Sequence, residues 1–338
     1  MIHSRYDIFE KRGDAGVLLA HGITGAPTEM KPLVRKLAAA GFTVACPQLA
    51  GHCSTLKELR QTRWTDWYAS LRASLQMLRS QCSSVFVSGL SMGALLALKL
   101  AIDHPDEIDG VATLSATFFY DGWNVPPLRQ RYLLPLLVYS PLRHFMSYHE
   151  PPPYGIKDER IRNIIAAVYA GDSTHMPEKY GYSEFPGDTI RETFRLIKSV
   201  KRDLSRITTP LLIVHSTEDD MASLENARFL AARVASSQVE TFFVDDTYHV
   251  LTLDRRKHDV AERVAGFFLR RNAAIADVES LGLDSLDLIE VLFEVEEVFN
   301  IRVPQDGAAA VKAATLQDII DSVEKLAAQE TVTQAGSG

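Results

Sequence analysis

Residues 84–104 read SVFVSGLSMGALLALKLAIDH. The first seven, SVFVSGL, are β-branched, aromatic and apolar, and predict a strand. ALLALKLAIDH (94–104) is unbroken by Gly or Pro and predicts a helix. Between them lies Gly89-Leu90-Ser91-Met92-Gly93. A sharp strand-to-helix turn forces its central residue into a strained backbone and exposes it at the sheet edge. The two glycines let strand and helix approach where Cβ atoms would clash. Ser91 is therefore the candidate nucleophile, while Ser88 and Ser115 are expected to be structural.

The same alternation extends outward. VLLAH (17–21) predicts a strand, EMKPLVRKLAAAG (29–41) a helix ending at Gly41, and FTVACP (42–47) a strand. DWYASLRASLQMLRSQ (66–81) predicts a helix and GVATLS (110–115) a strand. Near-continuous apolar strands separated by helices imply an α/β fold, with a mostly parallel sheet covered by helices on both faces. The pattern breaks over about 116–207, a stretch rich in Pro and aromatics (VPPLRQRYLLP, HEPPPYG) with helices but no convincing strand. It resumes with PLLIVHS (210–216), LENARFLAARVA (224–235), VETFFVDD (239–246) and RKHDVAERVAGFFLR (256–270). The interruption predicts a helical lid over the carboxyl edge of the sheet, where ligands bind in such folds.

A serine hydroxyl needs a general base, and the base needs an orienting acid. Both are expected in loops after the last two strands. His249 follows strand 239–244. Strand 210–215 is followed by Glu218, Asp219 and Asp220, of which only one can face the histidine. His215 at a strand end and His258 within the last helix are poorly placed as bases. A tetrahedral intermediate also needs backbone N–H donors. Met92, after the nucleophile, supplies one, and Ile23 in the His21-Gly22-Ile23-Thr24-Gly25 loop the other.

Together LLAHGITGAP, GLSMGALLALKLA, ITTPLLIVHSTEDDM and YHVLTLD resemble the bacterial carboxylesterase and monoacylglycerol-lipase-like branch of the α/β-hydrolases, over about residues 14–271. The resemblance selects Asp219, followed two residues later by apolar Met221, as the acid. It also matches His249 with the later Asp254. It implies hydrolysis of carboxylic esters, of short to medium acyl chains or of monoacylglycerols. One position departs: Gly51-His52-Cys53 carries Cys53 where the family usually has glycine.

After Arg271 the character of the chain changes. RNAAIADVES reads as a linker, placed at 272–280. From Asp277 onward there are 13 acidic and 3 basic residues, a balance of −10 within a chain of net charge −7. A nearly neutral body with an acidic appendage predicts two units and argues against nucleic-acid binding. Leu281-Gly282-Leu283-Asp284-Ser285-Leu286-Asp287, with EVLFEVEEVFNIRVP and TLQDIIDSVEKL after it, resembles an acyl carrier protein over 281–328. That resemblance implies 4'-phosphopantetheine on Ser285, a phosphopantetheinyl transferase as a partner, and basic acyl-transfer enzymes meeting Asp287, Glu290, Glu294 and Glu297. Carriers begin with a long helix well before this serine, and little chain is left for one here. Either the last hydrolase helix serves both units or the carrier is truncated. Residues 329–338 are polar and expected to be disordered.

The substrate expected is then an acyl ester or an acyl thioester. Acyl transfer by the same triad, and a carrier or scaffold protein with a non-catalytic body, are the other readings. No metal is expected. Cys46, Cys53 and Cys82 form neither a disulfide framework nor a metal pattern, and Cys46 reads as a small buried hydrophobe. With no apolar leader and no run of 18 apolar residues, neither a signal nor a transmembrane helix is expected, and the default is the cytoplasm.

Overall fold

A computed structural model of the protein describes residues 4–125, 134–170 and 181–275. Seven strands form one sheet in the order β1-β3-β2-β4-β5-β8-β9. They are β1 (Ile8–Glu10), β2 (Ala15–Ala20), β3 (Thr43–Cys46), β4 (Ser84–Leu90), β5 (Gly110–Leu114), β8 (Leu211–Ser216) and β9 (Val239–Val244). Only β1 runs antiparallel, against β3; the other pairings are parallel. The short β1 has no counterpart in the sequence reading, because three half-exposed residues carry no clear period.

Every residue of β4 is buried, as a central strand covered on both faces requires. The helix after it, α4 (Met92–Asp103), is apolar but for Lys99, which pairs with Asp103 at 2.6 Å, and is buried from Met92 through Ile102. A helix apolar nearly all round must be enclosed by other elements. On one side α4 meets the sheet. Further out lie α3 (Trp64–Arg79), whose Trp67, Leu71, Leu75 and Leu78 share one face, and α7 (Gly187–Asp203), which contributes Leu196, Ile197 and Val200. These spacings of three and four place one stripe of each helix in the core. Cutting Leu71 or Leu75 to Ala removes core methyl groups and costs about 2–5 kcal/mol.

The segment 116–207 is not helical throughout. Its β6 (Ser147–His149) and β7 (Glu184–Pro186) pair as a small antiparallel ribbon, beside helices α5 (Leu134–Tyr139) and α6 (Glu159–Ala170). Three-residue strands containing His and Pro give no alternation long enough to read. Helix α7, within the predicted lid, belongs instead to the core beneath it. Among the described residues the remaining α-helices are α1 (Lys31–Ala39), α2 (Leu56–Gln61), α8 (Glu225–Ala231) and α9 (Lys257–Ile275).

The chain divides into two compact units, Met1–Gly266 and Phe267–Gly338. Of the second, the described residues are 267–275, the end of α9, so helix extends four residues into the stretch read as linker. Ser285 and the rest of the carrier-like segment lie outside the described residues. Among the described residues no helix is long and apolar enough to cross a membrane.

Candidate active site

Ser91 sits between β4 and α4 with φ 55° and ψ −113°, a positive φ that a residue with a Cβ rarely adopts. Its N–H donates to Leu114 O at 2.8 Å, fixing the turn to the neighbouring β5. The flanking glycines are sterically required. A Cβ on Gly89 would lie 2.2 Å from Gly93 O, and one on Gly93 2.2 Å from Ala20 O. The turn thus presents the serine hydroxyl at the carboxyl edge of the sheet, as the spacing predicts.

His249 Nε2 lies 2.9 Å from Ser91 Oγ. Its Nδ1 lies 2.8 and 3.0 Å from the two Asp219 oxygens. The carboxylate only accepts, so Nδ1 carries the proton and Nε2 faces the serine. Asp219 Oδ1 also accepts from Met221 N–H (2.9 Å) and Ala222 N–H (2.8 Å). The structure brings together Ser91, His249 and Asp219. Of the other two acids, Glu218 faces away, pairing with Lys157 at 2.6 Å. Asp220 is fully buried and accepts from Gly155 N–H at 3.2 Å.

The loop carrying the base is held at several points. Asp254 accepts from Tyr248 N–H (2.7 Å), Thr247 Oγ1 (3.1 Å), Lys157 N–H and Asp158 N–H (2.8 Å each). Ser115 Oγ donates to His249 O at 2.8 Å, the structural role expected of Ser115. His215 is fully buried. It lies 2.8 Å from Ala222 O and 3.5 Å from Asp219 Oδ2, and burial keeps its pKa below 6.5.

Electrostatics couple these groups. Burial pulls the His249 imidazole down, but Asp219, aided by Asp220 and Glu150, pushes it up to about 9. For Asp219, burial acts upward and is outweighed by His249, His215 and the Ala222 N–H, leaving the carboxyl below 3.8.

The hydroxyl opens onto a cavity of about 480 Å³ lined by Ile23, Ile156, Ile161, Ile164, Val250 and Leu253 among others. Ile23 lines it directly. Met92 N–H is at the first turn of α4, where no intrahelical acceptor exists. Among the described residues neither N–H is taken by another backbone carbonyl outside a helix or strand.

Two acids in this cavity escaped the sequence reading. Glu29 receives a hydrogen bond from Gly22 N–H and so braces the Ile23 loop. Burial pushes its pKa up to about 7, against the Gly22 N–H and His249. Glu150 is likewise pushed to about 7, by burial first and then by Asp220. Neither stands in a motif, and only the folded cap brings Glu150 near. Cys53 has φ 53°, the conformation that explains why glycine is usual there. Cys46, Cys53 and Cys82 are buried and form no disulfide.

Residues 11–256 match the Hydrolase_4 family (serine aminopeptidase, S33), and the chain belongs to it: a serine hydrolase on an α/β-hydrolase fold. Within that class it is an ester hydrolase. It is 30% identical over 262 residues to a thermostable monoacylglycerol lipase of Bacillus sp. (strain H-257), covering 78% of this chain and 93% of that one. With a carboxylesterase of Bacillus subtilis (strain 168) it shares 26% over 258 residues, 76% and 93% of the two chains. A solved structure of metagenome-derived lipolytic enzymes superposes with TM-score 0.66 at 26% identity, over 78% of this chain and 97% of that one. A short C-terminal part is 45% identical over 49 residues to an acyl carrier protein of Sulfurovum sp. (strain NBC37-1), 14% of this chain and 63% of the carrier.

Proposed function

We propose that the protein cleaves a carboxylic ester or thioester of an acyl chain through a covalent acyl-enzyme on Ser91. The observation that carries this reading is the 2.9 Å approach of His249 Nε2 to Ser91 Oγ, with Nδ1 held by Asp219. Ser91 Oγ attacks the acyl carbon while Nε2 takes its proton, and the carbonyl pair moves onto oxygen. Ile23 and Met92 N–H receive that oxyanion. Nε2–H then protonates the departing alcohol or thiol. Water, deprotonated by the same nitrogen, releases the acid and restores Ser91.

The apolar isoleucines of the cavity suit an acyl chain. The relative named as a monoacylglycerol lipase supports a monoacylglycerol, or another short to medium acyl ester, as the substrate class. The domain plan belongs to the same proposal. It has a hydrolase body over 1–271 with a cap within 116–207, a linker from 272 to 280, a carrier-like segment over 281–328, and a tail. Ser285 would carry 4'-phosphopantetheine, added by a phosphopantetheinyl transferase, which makes an acyl thioester a second candidate substrate. The carrier relative supports this reading. Three buried cysteines outside any disulfide suit a reducing cytoplasm.

A fluorophosphonate probe should label the protein and fail to label Ser91→Ala. Ser285→Ala should spare turnover of a small free ester, and equal loss in both variants would sink the two-unit plan. Mass spectrometry of the Ser285 peptide after incubation with a phosphopantetheinyl transferase and coenzyme A tests the modification. Rates on p-nitrophenyl esters of graded length against acyl-pantetheine thioesters then rank the substrates.

A further inference from the structure

Beside the nucleophile lies a buried hydroxyl that the triad does not use. Thr117 Oγ1 is 3.2 Å from Ser91 Oγ and donates to Ser115 O at 3.0 Å. Thr117 is 1% exposed and Ser91 6%. Thr117 is not among the residues that line the cavity, although its hydroxyl reaches the serine oxygen. We propose that Thr117 is a further catalytic group, a second hydrogen-bond partner of Ser91 Oγ that changes from acceptor to donor during the reaction. The proposal rests on Ser91 being the nucleophile.

A hydroxyl has one proton and two lone pairs. In the free enzyme Thr117 spends its proton on Ser115 O, so toward Ser91 it accepts. When His249 is protonated, Nε2–H donates to Ser91 Oγ, and the serine proton then points to Thr117. When Nε2 is free, the serine O–H turns to it and attack can begin. Forming the Oγ–acyl bond removes the serine proton to Nε2. Oγ is then an ester oxygen with lone pairs only, facing another acceptor. Turning the Thr117 O–H from Ser115 O to Oγ relieves that contact.

The new hydrogen bond strengthens in the second half of the reaction. Water adds to the acyl carbon as Nε2 takes a proton from it. The Oγ–carbon bond then breaks, its electron pair returns to Oγ, and Nε2–H delivers the proton there. A donor aimed at Oγ favours the charge that develops on it. In acylation the serine O–H is turned to Nε2 and Thr117 keeps its own proton on Ser115 O, so the effect there is smaller. Deacylation is therefore the step that should feel the loss of this hydroxyl.

Thr117→Val replaces the hydroxyl with a methyl group of similar size, and Thr117→Ser keeps the hydroxyl. In stopped-flow assays with a p-nitrophenyl ester, Thr117→Val should show a burst and a steady-state kcat roughly tenfold lower. KM should fall with kcat, so that kcat/KM, which reports acylation, stays within about threefold. Thr117→Ser should recover deacylation. Thr117→Ala, read the same way, serves if the valine variant does not fold. A deacylation rate within twofold of the parent in Val or Ala would overturn the proposal, as would equal slowing in Val, Ala and Ser. Intact-mass detection of an acyl adduct on Ser91 separates the two levels. Its absence in the parent breaks the proposed function, whereas an adduct with unaltered deacylation breaks only the role of Thr117.

Discussion

The sheet edge and the cap meet at one cavity but are built on different terms. At the sheet edge, β4 and α4 are buried nearly without exception, and Ser91, Asp219 and His249 are held together from three separate turns. In the cap, Leu136 is 69% exposed and Phe145 89%, and the strands span three residues each. Chemistry that needs tenths of an ångström rests on the rigid side. The cap supplies lining, with Glu150 and the isoleucines of α6, where variation is tolerated. On the proposed function, the contrast assigns rate and selectivity to separate parts of the chain.

Several substitutions would break or sharpen that contrast. Ser91→Ala should lower kcat by about 10⁶-fold; residual turnover within tenfold of the parent would move the chemistry off the sheet edge. Asp219→Asn should leave the fold intact and lower kcat about 10⁴-fold, since the imidazole loses its tautomer control. Gly93→Ala drives a Cβ into Ala20 O and should cost about 3 kcal/mol, visible as a fall in Tm. From the cap, Glu150→Gln tests the coupling to the base. His249 sits at about 9 partly because Glu150 is near, and the base must be neutral to accept a proton. Activity should therefore rise with pH toward 9, and the variant's rise should begin at a lower pH than the parent's. A profile unchanged in position would uncouple the two regions. Smallest of all, Phe145→Ser should alter stability by under about 0.5 kcal/mol in thermal melts.

The raised imidazole also acts on folding. A protonated His249 is favoured in the native state, so its contribution is complete below 6.5 and is lost as pH rises through about 9.

How much was legible follows the same division. SVFVSGL matches β4 residue for residue, because a buried central strand must be apolar throughout. Gly89 and Gly93 announce the elbow because no other residue fits there. The pairing of Asp219 with His249 followed from strand order plus the family resemblance; without the latter, Glu218 and Asp220 were equal candidates. The cap ribbon was not legible, nor were Glu29, Glu150 and Thr117 as neighbours of the site. Their places depend on how distant segments pack, and one exposed-looking glutamate in a sequence resembles any other.

Gly155 has φ 68°, and a Cβ there would meet Val250 Cγ2 at 2.8 Å and His249 Cβ at 3.1 Å. Its carbonyl accepts from Val250 N–H at 2.8 Å, while Asp254 grips the amides of Lys157 and Asp158. The foot of the cap is thus riveted to the loop bearing the imidazole. The amides of Lys157, Asp158 and Val250 should therefore exchange with deuterium at a shared rate, as one locally opening unit.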